Sequence, residues 1–338
     1  MAKIVFFELE QFGLGDRKDY IKEHLKGNDI IFTDEQLTEK NADKAKDADV
    51  IAFFIYSKIN DALLKKMPKL KLALTMSTGF EHIDIEACRK KKVIACNVPA
   101  YGDNTVAEHA MALLLAISRK LIPSIERTRK GSFDLTGLRG FDLKDKTMGI
   151  LGTGRIGRNV AHFAEAFGMR VIAFDKFPNE SLAKECGFTY VPFDDLLAKS
   201  DVISVHLPET PETHHIINKD NIRKIKKGCV LINTARGGII ETEALLIGLK
   251  EGILSGCGLD VLEEECAIKE EAELLHETFQ KTCDLKTLLE EHMLIEHPSV
   301  IVTPHNAFNS TEALMRILDT TIDNINAFLA GVPQNKVT

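Results

Sequence analysis

Residues 149–175 read GILGTGRIGRNVAHFAEAFGMRVIAFD, and this stretch narrows the possible folds more than any other. An apolar run ends at Gly152, and Gly154 and Gly157 complete a G-x-G-x-x-G spacing. An amphipathic helical pattern follows to Phe167, Gly168 supplies a helix stop, and a second apolar run ends on Asp175. The pattern predicts a strand over 147–151, a helix to 167 and a strand over 171–174, which together make a parallel βαβ unit. Each glycine has its own task. Gly152 permits a tight turn, Gly154 lets backbone approach a pyrophosphate, and Gly157 lets helix pack closely on strand. The helix N-terminus offers free N–H groups and positive dipole to phosphates. Asp175 falls where a carboxylate binds the ribose hydroxyls of NAD; its charge opposes the 2′-phosphate of NADP, and Lys176 beside it can soften that repulsion, so NAD is favoured over NADP without NADP being excluded. The expectation is a doubly wound parallel α/β sheet that binds NAD.

The same alternation fills the rest of the chain. Apolar runs at 4–7, 30–33, 50–55 and 72–75 predict buried strands. The stretches 16–25, 60–66 and 84–91 predict helices, with Asn60 and Asp84 as N-caps. The alternation then restarts with a long, heavily apolar helix over 104–130. Strands are expected at 147–151, 171–174, 202–207, 229–234, 257–261 and 300–303. Two α/β units follow: 1–100 completed by 306–338, and 101–305 inserted between them. The final helix, 311–329, is expected to return to the first unit, leaving a cleft where ligands commonly bind. A length of 338 residues suits two domains.

Composition excludes several classes. The net charge of −7 gives no basic surface for nucleic acid. The acid is local: 263–296 carries eleven acids against three bases, which reads as a solvated helical insertion. Seven cysteines, an odd number with no CxxC pair, fit reduced thiols better than a disulfide framework. No apolar run reaches the roughly 18 residues that spanning a membrane needs, and the N-terminus lacks a leader pattern. A cytoplasmic protein is expected. His214 and His215 are adjacent, with no ligand set around them and no HExxH, so no metal is expected. Cys229 and Cys257 read as small apolar residues in buried strands.

Three residues stand out at strand ends in the second unit. Arg236 follows the strand at 229–234, Glu265 lies in GLDVLEEE, and His305 follows the strand at 300–303. Ligands of an open parallel sheet sit at the carboxyl ends of its strands. Hydride transfer from a nicotinamide to a carbonyl leaves an alkoxide that a histidine can protonate. A carboxylate beside a histidine raises its pKa and fixes its orientation. An arginine can grip a carboxylate through two parallel hydrogen bonds and polarise the carbonyl next to it. Taken singly, His305 could be a loop histidine, Glu265 a solvated helix start and Arg236 half of a structural ion pair. Together they describe reduction of a 2-keto acid.

The chain resembles the D-isomer-specific 2-hydroxyacid dehydrogenases, most closely their D-lactate dehydrogenase branch. The resemblance covers essentially the whole length. It rests on NVPAYGDNTVAEHAMALLL, GILGTGRIGRNVAHFAEAFG, HLPETPETHHIIN, NTARGGIIETEALLIGLKEG, GLDVLEEE and TPHNAF. It implies a discontinuous flavodoxin-like catalytic domain and an inserted NAD-binding domain, both Rossmann-like. Arg236 then matches the substrate-binding arginine, Glu265 the acid that partners the catalytic histidine, and His305 that histidine. Asp260 matches the aspartate near the nicotinamide amide. Thr78 and Gly79 match the loop whose N–H groups hold the substrate carboxylate, and Tyr101 a tyrosine that reaches the same group. Arg155, Ile156, Pro208, Thr213, Thr234 and Ala235 fall where the family contacts the dinucleotide, beside Gly152, Gly154, Gly157 and Asp175. Arg236 and His305 border the same cofactor site. Phe54 and Phe308 join Tyr101 as pocket walls.

The resemblance implies a homodimer joined partly through the helix at 104–130, and a small 2-keto or 2-hydroxy acid as substrate. Pyruvate to D-lactate is the leading reaction. A bulkier branched, aromatic or hydroxypyruvate-type substrate is the alternative, and a formate-type, phosphoglycerate-type or nucleotide-sensing corepressor role is weaker. The presence of Glu265 argues against the formate type. The retained catalytic set argues against the corepressor. One departure is the acidic segment, longer than in glycerate-type members.

Overall fold

Among the described residues, twelve strands, all paired in parallel, build two separate sheets. A computed structural model describes residues 1–10, 13–263 and 285–338. The chain divides into one unit of Met1–Gly102 with Asn309–Thr338 and another of Asp103–Phe308.

The first unit holds β1 (Lys3–Phe7), β2 (Asp29–Thr33), β3 (Val50–Phe53), β4 (Leu72–Thr75) and β5 (Ile94–Cys96) in the order β2-β1-β3-β4-β5. That is the flavodoxin order, in which the order of the strands reverses between β1 and β3. Strands β3 and β4 are buried at every residue, so helices on both faces demand unbroken apolar runs. Strand β3 stops one residue before Phe54 although the apolar run continues, because the Phe54 N–H donates to the Glu8 carboxylate at 2.7 Å instead. Helices α1 (Lys18–His24), α2 (Asp61–Lys65) and α3 (Ile85–Lys91) lie between the strands. Asn60 and Asp84 cap the last two, accepting from the Leu63 and Ala87 N–H groups at 2.8 and 2.9 Å.

The long C-terminal helix, α11 (Thr311–Leu329), belongs to this unit, and Ser310 caps it. It buries Ile317, Leu318, Ile322 and Ile325. Beyond it, Lys336 pairs antiparallel with Cys96, and the Val337 N–H donates to Ala95 at 2.9 Å.

The second unit begins with α4 (Asp103–Ser118) and α5 (Leu121–Arg129). The single helix expected over 104–130 is therefore two. Pro123 lacks an N–H and its ring would collide with the carbonyl four residues back, so the helix cannot run through. Lys120 takes a left-handed φ of +51° and Pro123 falls in the first turn of a new helix, where it is tolerated.

Strands β6 (Thr147–Leu151), β7 (Arg170–Phe174), β8 (Thr189–Tyr190), β9 (Val202–Val205), β10 (Cys229–Asn233), β11 (Leu254–Leu259) and β12 (Val300–Val302) run β12-β11-β10-β9-β6-β7-β8. Helices α6 (Arg155–Ala166), α7 (Glu180–Glu185), α8 (Phe193–Lys199), α9 (Thr242–Lys250) and α10 (Leu285–Ile295) complete the unit. Consecutive strand residues feed opposite faces: Val230 and Ile232 enter one core cluster, Leu231 the other. The strand order reverses between β6 and β9, and the crevice at their carboxyl ends is where this topology receives ligands.

The expected solvated insertion at 263–296 needs correction at both ends. Leu294 of α10 is fully buried in the core, and the Glu263 side chain is largely buried as well. The segment 264–284 lies outside the described residues.

Candidate active site

The turn from β6 into α6 gives each glycine a separate physical reason. Gly152 holds φ at +95°, and a Cβ there would stand 2.8 Å from the His206 carbonyl oxygen. A Cβ at Gly157 would stand 2.0 Å from the Gly152 carbonyl oxygen, so helix and strand touch backbone to backbone. At Gly154 a Cβ would meet nothing within 4 Å. Gly154 caps α6 without a side-chain hydrogen bond, so the first N–H groups of this twelve-residue helix have no side-chain cap. Arg155 is exposed at the helix start, and Ile156 packs on the core below.

The Asp175 carboxylate already grips this turn. It accepts from the Thr153 N–H at 2.8 Å and the Thr153 hydroxyl at 3.0 Å, while its other oxygen accepts from the Phe177 N–H at 2.9 Å. The Thr153 hydroxyl thus spends its proton on Asp175, so Tyr190 O–H donates to it across 2.8 Å. Thr153 and Tyr190 were not legible as site residues. Tyr190 sits on a two-residue edge strand with no periodicity to read.

The connections after β9 and β10 reach the same edge. After β9, the Thr213 hydroxyl donates to the Pro208 carbonyl at 2.6 Å and closes that loop. Burial holds His206 neutral by lowering its pKa to about 3. After β10, Thr234 is buried and its hydroxyl has no hydrogen-bond partner among the described residues. An unpartnered buried hydroxyl, free helix N–H groups and an open cradle at Gly154 together fit a dinucleotide.

Asn233 shapes the turn that carries Arg236. Its side chain accepts from the Ala235 N–H at 3.0 Å and donates to the Arg236 carbonyl at 2.9 Å. This ring explains the N-x-x-R spacing. The half-buried guanidinium touches the Ala235 carbonyl at 2.8 Å, and among the described residues it forms no ion pair.

Asp260 organises the loop of His305. Its carboxylate accepts from the Thr303 hydroxyl at 2.5 Å, the Asn306 N–H at 3.0 Å and the Ala307 N–H at 2.9 Å. Burial pushes this carboxyl up, but hydrogen bonds from His109, Thr303 and Ala307 outweigh it and hold the pKa below the usual range. Between the clamped residues, His305 adopts a left-handed φ of +50°, an uncommon conformation that the clamp maintains. The Asp260 N–H donates to the Asn233 carbonyl at 2.9 Å, which ties the two connections together. Glu265 lies outside the described residues.

In the first unit, Phe54, Thr78, Gly79 and Tyr101 follow β3, β4 and β5 at their carboxyl ends. The Thr78 hydroxyl donates to the Val98 carbonyl at 2.8 Å, and the Thr78 carbonyl accepts from Asn97 at 2.7 Å. The Gly79 carbonyl accepts from Ser77 at 2.7 Å. Both carbonyls of this turn are therefore occupied, while no acceptor among the described residues takes the N–H of Thr78 or Gly79. Such a pair of N–H groups suits a carboxylate. Tyr101 is anchored through its carbonyl, which accepts from Arg316 at 2.6 Å.

Comparison with known proteins agrees with this chemistry. The sequence model described as D-isomer specific 2-hydroxyacid dehydrogenase, NAD binding domain, matches residues 111–307. The chain belongs to the D-isomer specific 2-hydroxyacid dehydrogenases. It is 38% identical to a 2-hydroxyacid dehydrogenase homolog of Zymomonas mobilis, over 90% of this chain and 91% of that one. It is 33% identical to the D-lactate dehydrogenase of Escherichia coli, over 93% and 95%. The structure of D-lactate dehydrogenase from Aquifex aeolicus, complexed with NAD and lactic acid, superposes with a TM-score of 0.83 at 36% identity, covering 99% and 98%.

As a member of this family the chain is an NAD-dependent oxidoreductase acting on CH–OH donors. Among the described residues, no group of His, Cys, Asp and Glu could hold a metal, and no helix is long and apolar enough to cross a membrane.

Proposed function

We propose that this D-2-hydroxyacid dehydrogenase interconverts pyruvate and D-lactate, and that its site residues act as follows. NADH supplies the hydride when bound. Arg236 and the N–H groups of Thr78 and Gly79 hold the substrate carboxylate, with Tyr101 beside it. The Arg236 guanidinium also polarises the keto oxygen. His305 protonates the developing alkoxide in reduction and removes the proton in oxidation, partnered by Glu265. Asp260 holds the His305 loop. Gly152, Gly154, Arg155, Ile156, Gly157, Asp175, Pro208, Thr213, Thr234 and Ala235 hold the dinucleotide, and Phe54 and Phe308 limit substrate size.

The observation that carries this reading is Arg236. Its guanidinium sits on a braced turn, half-buried, with only a carbonyl for a partner among the described residues. A charge kept there calls for an anion. The likeness to D-lactate dehydrogenases over nearly the whole chain supports pyruvate. The test is NADH oxidation with pyruvate beside branched, aromatic and hydroxypyruvate-type acids. The highest kcat/KM on pyruvate is expected, and preference for another acid would overturn the substrate.

The protein is also proposed to work as a cytoplasmic homodimer. Ile122, Ile125, Phe133 and Leu135 expose large apolar surface on α5 and the segment after it, with Phe133 at 82% and Leu135 at 79%. Apolar surface of that kind marks contact with another chain. The described cysteines are all unpaired, which suits a reducing compartment. Sedimentation equilibrium should give twice the chain mass.

A further inference from the structure

Glu263, the first acid of GLDVLEEE, does not behave as a surface acid. Only 18% of its side chain is exposed. One carboxylate oxygen accepts from the Thr242 hydroxyl at 2.7 Å and the Thr242 N–H at 3.2 Å. The other lies 2.5 Å from His215 Nε2, and since a carboxylate only accepts, Nε2 donates. These partners come from different connections: His215 from that after β9, Thr242 from that after β10, and Glu263 from that after β11. Backbones meet here too. A Cβ at Gly237 would stand 2.0 Å from the Leu262 carbonyl oxygen and 2.5 Å from the Glu263 nitrogen. The His215 N–H donates to the Gly238 carbonyl at 2.8 Å, with His215 in a left-handed φ of +50°.

We propose that Glu263 is a positioning residue, whose carboxylate pins the Arg236 turn between the connections after β9 and β11. The inference rests on the 2-keto acid reading of Arg236 given above. Among the described residues the guanidinium bonds only to its neighbour Ala235, a contact that moves with the turn. The height of the turn above the sheet must be fixed by other groups. Asn233 fixes its shape, and Glu263 fixes its place. A fork that binds a carboxylate through two parallel bonds tolerates little displacement: a misplacement of about 1 Å can cost on the order of a hundredfold in rate.

The test compares wild type, Glu263→Leu and Glu263→Gln with pyruvate and NADH, counting folded sites by NADH fluorescence titration. Glu263→Leu should raise the pyruvate KM about tenfold or more and lower kcat, since a charge-assisted bond and a buried N–H partner are both lost. The NADH Kd should stay within about twofold. Glu263→Gln should fall between, because glutamine still accepts from Thr242 and His215 can turn its ring proton to the other nitrogen. Unchanged KM and kcat per NADH site, even with a lower melting temperature, would show a purely structural acid and overturn the proposal. If neither variant folds, His215→Leu breaks the clasp while sparing the Thr242 contacts, and the same shift in KM and kcat decides. A wild-type chain that turns over no 2-keto acid overturns the parent reading and this role with it. Wild-type turnover with unchanged variants overturns the role of Glu263 alone.

Discussion

At Arg236, lysine would keep the charge and lose the planar fork. An ammonium can take one carboxylate oxygen or the other, without the two parallel bonds. One charge-assisted bond contributes about 1.5–3 kcal/mol, so Arg236→Lys should lower kcat/KM for pyruvate by roughly ten- to a hundredfold. The loss should appear in both KM and kcat, because the same group polarises the reacting carbonyl. NADH affinity should barely move. Steady-state kinetics with an independent NADH titration checks this, and intact keto-acid kinetics would mean that Arg236 binds something else. Arg236 was legible because a charge at the end of an apolar strand is an anomaly that demands a partner. Glu263 was not, because one acid in a row of three carries no such signal, and its partners His215 and Thr242 are distant in sequence.

The β6–α6 turn offers a comparison between two glycines in one element. Gly157 has no room: an alanine methyl would stand 2.0 Å from a backbone oxygen. Gly154 has room and an ordinary φ of −64°. Gly157→Ala should therefore cost the unit on the order of 1–3 kcal/mol or more through overpacking. Gly154→Ala should cost less than about 1 kcal/mol, the usual penalty of alanine at an N-cap. Yet Gly154→Ala should weaken NADH binding, because the methyl would fill the space left for a pyrophosphate. Melting curves with and without NADH separate the two cases. Equal melting losses would refute the assignment of tasks.

Local patterns of this kind made the strands and the glycine turn readable. The break between α4 and α5 was encoded by Pro123, but the apolar content on either side masked it. Strand β8 was too short to carry a period. The braces at Asp175 and Asp260 depend on partners that only the folded topology brings near.

Across the whole molecule, acid stability should depend on histidines held neutral, one in each unit. Burial lowers His82 to about 4 and His206 to about 3, against an ordinary value near 6.5. In each case the unfolded chain binds a proton that the folded chain refuses. Their stabilisation is complete above pH 6.5 and is lost as pH falls toward the folded values. At about 1.4 kcal/mol per pH unit, each could remove up to about 3 kcal/mol by pH 4. The two residues also report on different units, His82 on Met1–Gly102 with Asn309–Thr338 and His206 on Asp103–Phe308. Urea unfolding followed by far-UV circular dichroism between pH 4 and 7, at fixed protein concentration, can read both. NADH stabilises the unit that binds it and so marks the transition of Asp103–Phe308. His82→Gln keeps an amide that can bond to Thr75, which lies 2.9 Å from the imidazole, but cannot titrate. It should flatten the pH slope of the transition that NADH leaves unmoved and spare the other. A variant with the wild-type slope would show that His82 takes up its proton without unfolding.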